Sequence, residues 1–247
     1  MFKKIISIVL LGVMMATLMS LLLGCDDVDK KTVAAIQNQL SEKYGESFTV
    51  YALGDRIGRD TVTAYVYADG DPSMLFTARL DKNGELTFDN YSYRIVCRKT
   101  DKLLTSQLSS FGIESIAYTT YENKDYSLAL DISPAEYVTS TASAFCAISL
   151  VVKDTDAVCA DDLLRCVAAL REQLGDILIG ISVYKLSADD YNTVYDAVLH
   201  ETQIFDAYRL STMGTSGDIV EATFQYDANG CSMTAEQIDQ LLSKEAD

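Results

Sequence analysis

The chain carries a single histidine, His200, and that count restricts the chemistry open to it. A Cys-His or Ser-His nucleophile would have to recruit His200, with Cys231 or with Ser216 of "GTSGD" as the attacking group. "GTSG" lacks the spacing of the G-x-S-x-G elbow, which lifts a serine out of a strand-to-helix turn. HExxH and Cys/His zinc patterns are absent, so no metal and no cofactor is expected. Carboxylates are plentiful, with adjacent pairs at Asp26/Asp27, Asp161/Asp162 and Asp189/Asp190. Glycosidic hydrolysis needs two acids facing each other across a cleft. Adjacent acids at a helix start have a simpler role, because negative charge is favoured at the positive end of the helix dipole. Asp161/Asp162 and Asp189/Asp190 both fit that simpler role. "DKNGE" (81–85) and "DANG" (227–230) hold fragments of a calcium loop without its repeated acids and distal glutamate, and read as turns. No phosphate-binding glycine loop is present. The expectation is a non-catalytic protein, with a hydrolase using carboxylates or a Cys231/His200 pair as the alternative.

Binding is the other chemistry that side chains of this kind support. Tyrosines crowd the first half of the chain, and Tyr65 and Tyr67 share one face of an expected strand. Exposed aromatics anchor interfaces, so that pair is the candidate binding face. Strand preference accounts for the remaining tyrosines. Beyond Cys25 there are Cys97, Cys146, Cys159, Cys166 and Cys231, an odd set that cannot pair completely. Cys159 and Cys166 fall on one expected helix about 10 Å apart, too far for a disulfide. Small buried hydrophobes describe several of these cysteines.

At the N-terminus Lys3 and Lys4 precede an apolar run, Ile5 to Leu23, interrupted by Ser7, Thr17 and Ser20, which is the layout of an export signal. The run is also long enough to be weighed as a membrane span. It stops on Leu22-Leu23-Gly24-Cys25 and passes at once into Asp26-Asp27. Those four residues resemble the lipobox of bacterial lipoproteins. The resemblance implies that Leu22, Leu23 and Gly24 are read by signal peptidase II, and that the Cys25 thiol is acylated and becomes the first residue of the mature chain. Residues 1–24 would then be a signal peptide, and 25–30 a lipidated N-terminus with a short tether. Each buried methylene of such a lipid contributes about 0.8 kcal/mol, so two chains on one residue hold where one does not. Positive charge stays on the cytoplasmic side, which puts the body of the protein on the extracytoplasmic face of the cell membrane. A second likeness is local: "EKYGESF" (42–48) resembles a helix-to-strand junction in small exported proteins of Gram-positive bacteria, many of unassigned function.

Loss of residues 1–24 would remove two lysines and no acids, moving the formal charge from −16 to −18. Nucleic acid needs clustered Lys and Arg to replace phosphate counterions, and no such cluster occurs. Anionic lipid heads are disfavoured by the same charge, so the membrane is expected to be contacted through the lipid anchor alone. An envelope protein or a small ligand remains as partner.

The elements that must position these residues follow from periodicity. Val33, Ile36, Leu40 and Tyr44 recur at helical spacing and stop at Gly45. Segments 47–54, 61–68 and 74–81 read as an antiparallel meander, and "DKNGE" as a hairpin turn into a short strand at 86–88. Residues 91–110 read mostly as a helix with Leu103, Leu104, Leu108 and Phe111 on its buried side. Segments 113–121 and 126–132 suggest a hairpin, and Ser133-Pro134 opens a short helix. The apolar runs 144–152 and 177–186 suggest strands covered on both faces. Between them Leu163, Cys166, Val167, Leu170 and Leu174 form a helical stripe, giving a β-α-β unit. Further helices are expected after Ser187-x-x-Asp190 and Thr234-x-x-Gln237, and strands near 202–210 and 218–227. The fold class is α+β, helices packed on antiparallel and mixed sheets, divided into 31–111 (helix plus meander) and 112–247 (a mixed region with the β-α-β unit).

Overall fold

The computed structural model describes residues 29–54, 60–155, 158–217 and 219–243. Leu22, Leu23, Gly24 and Cys25 lie outside them, as do Asp26 and Asp27. The fold is α+β, as the patterning requires, with a four-stranded and a five-stranded sheet. Among the described residues two compact units form: 29–70 with 78–88, and 71–77 with 89–243.

In the first unit α1 (29–44) precedes β1 (Phe48–Leu53), β2 (Thr61–Ala68), β3 (Phe76–Asp81) and β4 (Leu86–Asp89), laid side by side in chain order. The helix begins inside the segment expected to be tether. Its Ile36 and Leu40 are fully buried. Two glutamines fasten it: Gln39 Nε2 donates to Gly84 O at 2.7 Å while its Oε1 accepts from Leu86 N at 2.7 Å, and Gln37 Nε2 donates to Phe48 O at 2.8 Å. The turn between β3 and β4 is built on Asp81, whose Oδ1 accepts from Asn83 N and Glu85 N at 2.8 and 3.0 Å, with Gly84 at φ 85°. Asparagine and glycine are the residues such a turn tolerates.

The second unit is built on a five-stranded sheet of β5 (Ser115–Tyr121), β6 (Phe145–Lys153), β7 (Leu178–Leu186), β8 (Val220–Asp227) and β9 (Gly230–Cys231), in that order. β6 and β7 are parallel, joined through α4 (Ala160–Leu174), and the other neighbours are antiparallel. One face packs on α2 (Tyr91–Ser110), α3 (Pro134–Thr141), α4 and α7 (Ala235–Leu242), where Leu104, Leu150, Leu170 and Ile179 are fully buried. The opposite face packs on α5 (Ala188–Leu199) and α6 (Ala207–Thr212) through Val151, Tyr184, Val194 and Leu210. Covered faces explain why β6 and β7 read as unbroken apolar runs. Capping boxes close the N-termini of α3 on Ser133/Glu136 and α7 on Thr234/Gln237, and Ser187 caps α5.

Three expectations are corrected. Residues 126–132 form no strand, because side chains of α2 claim their carbonyls. Ser92 Oγ donates to Tyr126 O at 2.8 Å, and Lys99 Nζ to Leu130 O and Ile132 O at 2.9 and 2.8 Å. The strand near 202–210 is replaced by α6, which Asp206 caps by accepting from Arg209 N at 2.8 Å. The grouping of 91–110 with the meander gives way as well. α2 lies within the second unit and packs along β5, while Phe111 at its end is exposed.

Candidate functional site

The stripe that α2 buries is Arg94, Cys97, Asp101, Leu104 and Leu108, spaced alternately three and four residues apart. Two of the five positions hold charges. Arg94 is only 4% exposed, its guanidinium lying 4.0 Å over the Tyr118 ring, with Nη1 donating to Thr119 O at 3.2 Å. Asp101 is 2% exposed, and its carboxylate oxygens make no well-formed hydrogen bond, although the Thr119 hydroxyl and N–H face them. Burying a charge without partners is costly, so a position like this marks a candidate site. Burial pushes the Asp101 carboxyl up to about 6, against the opposing pull of Arg94, of the Thr119 hydroxyl and N–H, and of Arg98.

β5 is the edge strand, and α2 runs along its free side. Glu114 O and Glu122 N bond to Lys153 N and Phe145 O across the β5–β6 ladder, so even-numbered residues turn their backbone groups inward. Odd-numbered residues turn theirs outward. The outward groups of Tyr121 are met by the Tyr93 hydroxyl, which accepts from Tyr121 N at 2.9 Å, and that of Thr119 by Arg94. Past Thr119 the helix leaves a cavity of about 120 Å³. Arg98, Asp101 and Lys102 of α2, Ser115 and Ala117 of β5, and Tyr195 of α5 line it. The Ser115 hydroxyl and Arg98 Nε have no hydrogen-bond partner, as with Asp101. Arg98 Nη2 donates to Ser73 Oγ at 2.9 Å, and Lys102 Nζ pairs with Asp71 at 3.6 Å with 64% of its side chain exposed. Asp101 and the Arg98 Nε are thus both buried beside the cavity, and Arg98 and the exposed Lys102 both face the Asp71 carboxylate.

The residues picked out by sequence are placed elsewhere. His200 ends α5, with Nδ1 2.7 Å from Asp196 O and Nε2 3.0 Å from Pro72 O, so both ring nitrogens face carbonyls. Cys231 sits on β9 and packs with the opposite face of the sheet from α5. The two do not form a pair. Ser216 and Asp190 belong to one structural clasp, in which the Asp190 carboxylate accepts from Ser216 N, Ser216 Oγ, Gly217 N and Ser187 Oγ within 3.1 Å. Asp161 and Asp162 lie in the first turn of α4, where Asp162 meets Arg165 at 3.2 Å. Tyr65 and Tyr67 share a face of β2 and are half-buried, whereas Tyr51 and Tyr208 are 62% and 78% exposed. All five described cysteines are free, and burial pushes the Cys97 and Cys166 thiols up to about 12 and 11, which keeps them protonated. Among the described residues no three His, Cys, Asp or Glu side chains gather as metal ligands, and no helix is long and apolar enough to cross a membrane.

The fold has a precedent. The crystal structure of a DUF5037 family protein from Ruminococcus gnavus ATCC 29149, at 2.55 Å resolution, superposes with a TM-score of 0.69 at 13% identity, covering 86% of this chain and 99% of that one. At that identity the likeness is one of fold. No protein-family model and no curated protein matches the chain. The candidate site therefore rests on its own geometry. Asp101 was legible in the sequence only as a charge at a position of an otherwise apolar stripe, and Arg94 seven residues earlier carries the same signal.

Proposed function

We propose that this protein is a lipid-anchored module on the extracytoplasmic face of the cell membrane that binds a small ligand without transforming it. The likeness of Leu22-Leu23-Gly24-Cys25 to a lipobox supports the anchor. The observation that carries the binding reading is Asp101, a buried carboxylate whose oxygens make no well-formed hydrogen bond and which lines a cavity of about 120 Å³. Proteins keep such a group at a cost in stability where a ligand supplies the missing partner. Hydrolysis by a carboxylate pair would need a second acid facing Asp101 across the cavity, and the other charged groups lining it are the cations Arg98 and Lys102.

Two measurements test the parts separately. The mass of the N-terminal peptide from membranes should be that of diacylglyceryl-Cys25, and Cys25→Ala should abolish it and leave residues 1–24 attached. An unmodified, uncleaved N-terminus would refute the anchor. For binding, thermal unfolding of the full chain in detergent against a panel of small amines, acids, sugars and zwitterions should yield a shift that Asp101→Asn removes. A panel without any Asp101-dependent shift would refute it.

A further inference from the structure

The acidity that argues against lipid heads belongs to one unit. Residues 29–70 and 78–88 hold eight acids and seven bases, whereas 71–77 and 89–243 hold 24 acids and 10 bases. An anionic surface therefore repels the second unit strongly and the first hardly at all. We infer that the first unit docks on the phospholipid headgroups of the membrane that holds the anchor, seating a headgroup phosphate between Lys31 of α1 and Lys82 of the β3–β4 turn. This rests on the lipid anchor proposed above and names the surface that the anchor brings to the bilayer.

The length of chain between anchor and fold decides which end of the unit meets the lipid. Helix is already in place at Asp29, and the stretch from Cys25 to Asp29 reaches at most about 14 Å when fully extended. A body of this size is roughly 25 Å across, so the tether is shorter than the unit is wide. The start of α1 is thereby held at the headgroup layer, whereas Lys43 lies about 18 Å further along the same helix.

Beside the start of α1 is an open groove of about 540 Å³, walled by Lys31 and Ala35 of α1, Val62 of β2, Leu80 of β3 and Lys82 of the turn. That volume falls within the range of about 300–1,000 Å³ typical of small-ligand sites, so a headgroup fits. Lys31 and Lys82 are both exposed and enter no ion pair among the described residues. Two carboxylates line the groove as well. Asp81 spends both oxygens on the turn, accepting from Asn83 N, Asn83 Nδ2 and Glu85 N within 3.1 Å. Asp60 is then the one carboxylate set against two lysines. A phosphate diester presents only acceptors, and each ammonium group brings three donors to meet them. Tethering raises the local lipid concentration to about the millimolar range, so even a weak contact of this kind is occupied.

The acylated full chain in vesicles of equal parts phosphatidylcholine and phosphatidylglycerol tests this against the same chain in maltoside micelles, which carry no phosphate. Mass spectrometry of the N-terminal peptide first establishes the diacylglyceryl group on Cys25. Acetylation by a water-soluble active ester, read lysine by lysine, should be at least threefold slower at Lys31 and Lys82 in vesicles than in micelles, and unchanged at Lys43. Amide exchange at residues 82–84 should slow by a similar factor. The double variant Lys31→Gln with Lys82→Gln, at exposed positions, should lose that protection with its circular dichroism unaltered. Equal reactivity of Lys31 and Lys82 in the two media, with Cys25 acylated, would overturn the docking and leave the anchor standing. Slowing at Lys43 equal to that at Lys31 would overturn it too, since the bilayer would then shield the whole helix rather than a seat at its start. A Cys25 peptide without lipid would overturn the inference together with the anchor.

Discussion

Replacing Asp101 with asparagine should stabilise the second unit at neutral pH and do nothing to it in acid. The Asp101 carboxyl has an ordinary value of 3.8 and is pushed up to about 6 in the fold. Between those values the folded state holds a proton that the unfolded chain has released, so stability falls as pH rises through this window and stays reduced above it. At about 1.4 kcal/mol per pH unit the total is about 3 kcal/mol. Burial leaves the carboxylate little solvent to screen it, so most of that figure should be felt. Asparagine keeps the shape of the protonated acid and cannot ionise. The assay is amide hydrogen exchange in β5 and α2, because a chain of two units has no single unfolding free energy and these amides report on the unit concerned. Comparing variant with wild type cancels every other titrating group. The slowest amides should be equally protected at pH 4, and roughly 100-fold better protected in Asp101→Asn at pH 7.5. A difference that is the same at both pH values, or a variant less protected at pH 7.5, would refute the claim that this carboxylate is buried at a cost.

Asp190 should behave in the opposite sense. Hydrogen bonds from Ser216, its backbone N–H foremost, hold the carboxyl below its ordinary value, so the clasp stabilises above about pH 4 and weakens as acid protonates it; denaturation of Asp190→Asn should show no such acid limb. Thr234→Ala removes the capping box of α7 and should cost about 1 kcal/mol in urea unfolding of the second unit. Leu104→Ala, at a fully buried position between α2 and the sheet, should cost about 2–5 kcal/mol in the same assay. His200→Ala with Cys231→Ala should leave the Asp101-dependent thermal shift unchanged, since neither residue lines the cavity, and a lost shift would place the site elsewhere.

Much of the second unit was readable because its signals are local. Ser133-Pro134, Ser187-x-x-Asp190 and Thr234-x-x-Gln237 satisfy backbone donors within three residues, so the helices they open need no knowledge of the rest of the chain. The apolar runs of β6 and β7 announced a sheet covered on both faces for a similar reason. Residues 126–132 have strand-like composition and became a loop, because Lys99 and Ser92 on a distant helix took the carbonyls that a ladder would have used. Phe111 looked like part of a buried stripe and is exposed, while Arg94 and Asp101, which the apolar pattern of that helix did not include, are buried.

The residue types of the chain were enough by themselves to set the lipobox-like N-terminus, the acidic charge, the α+β class and the turn and cap positions, since each depends on neighbours in sequence or on composition. What only the tertiary structure decided is which charges lose their water. α2 lies along the free edge of β5, and α5 approaches the same edge from the other face; the gap they leave joins Asp101, Arg98 and Ser115 around one cavity. Desolvation is a property of that packing, and no local pattern encodes it.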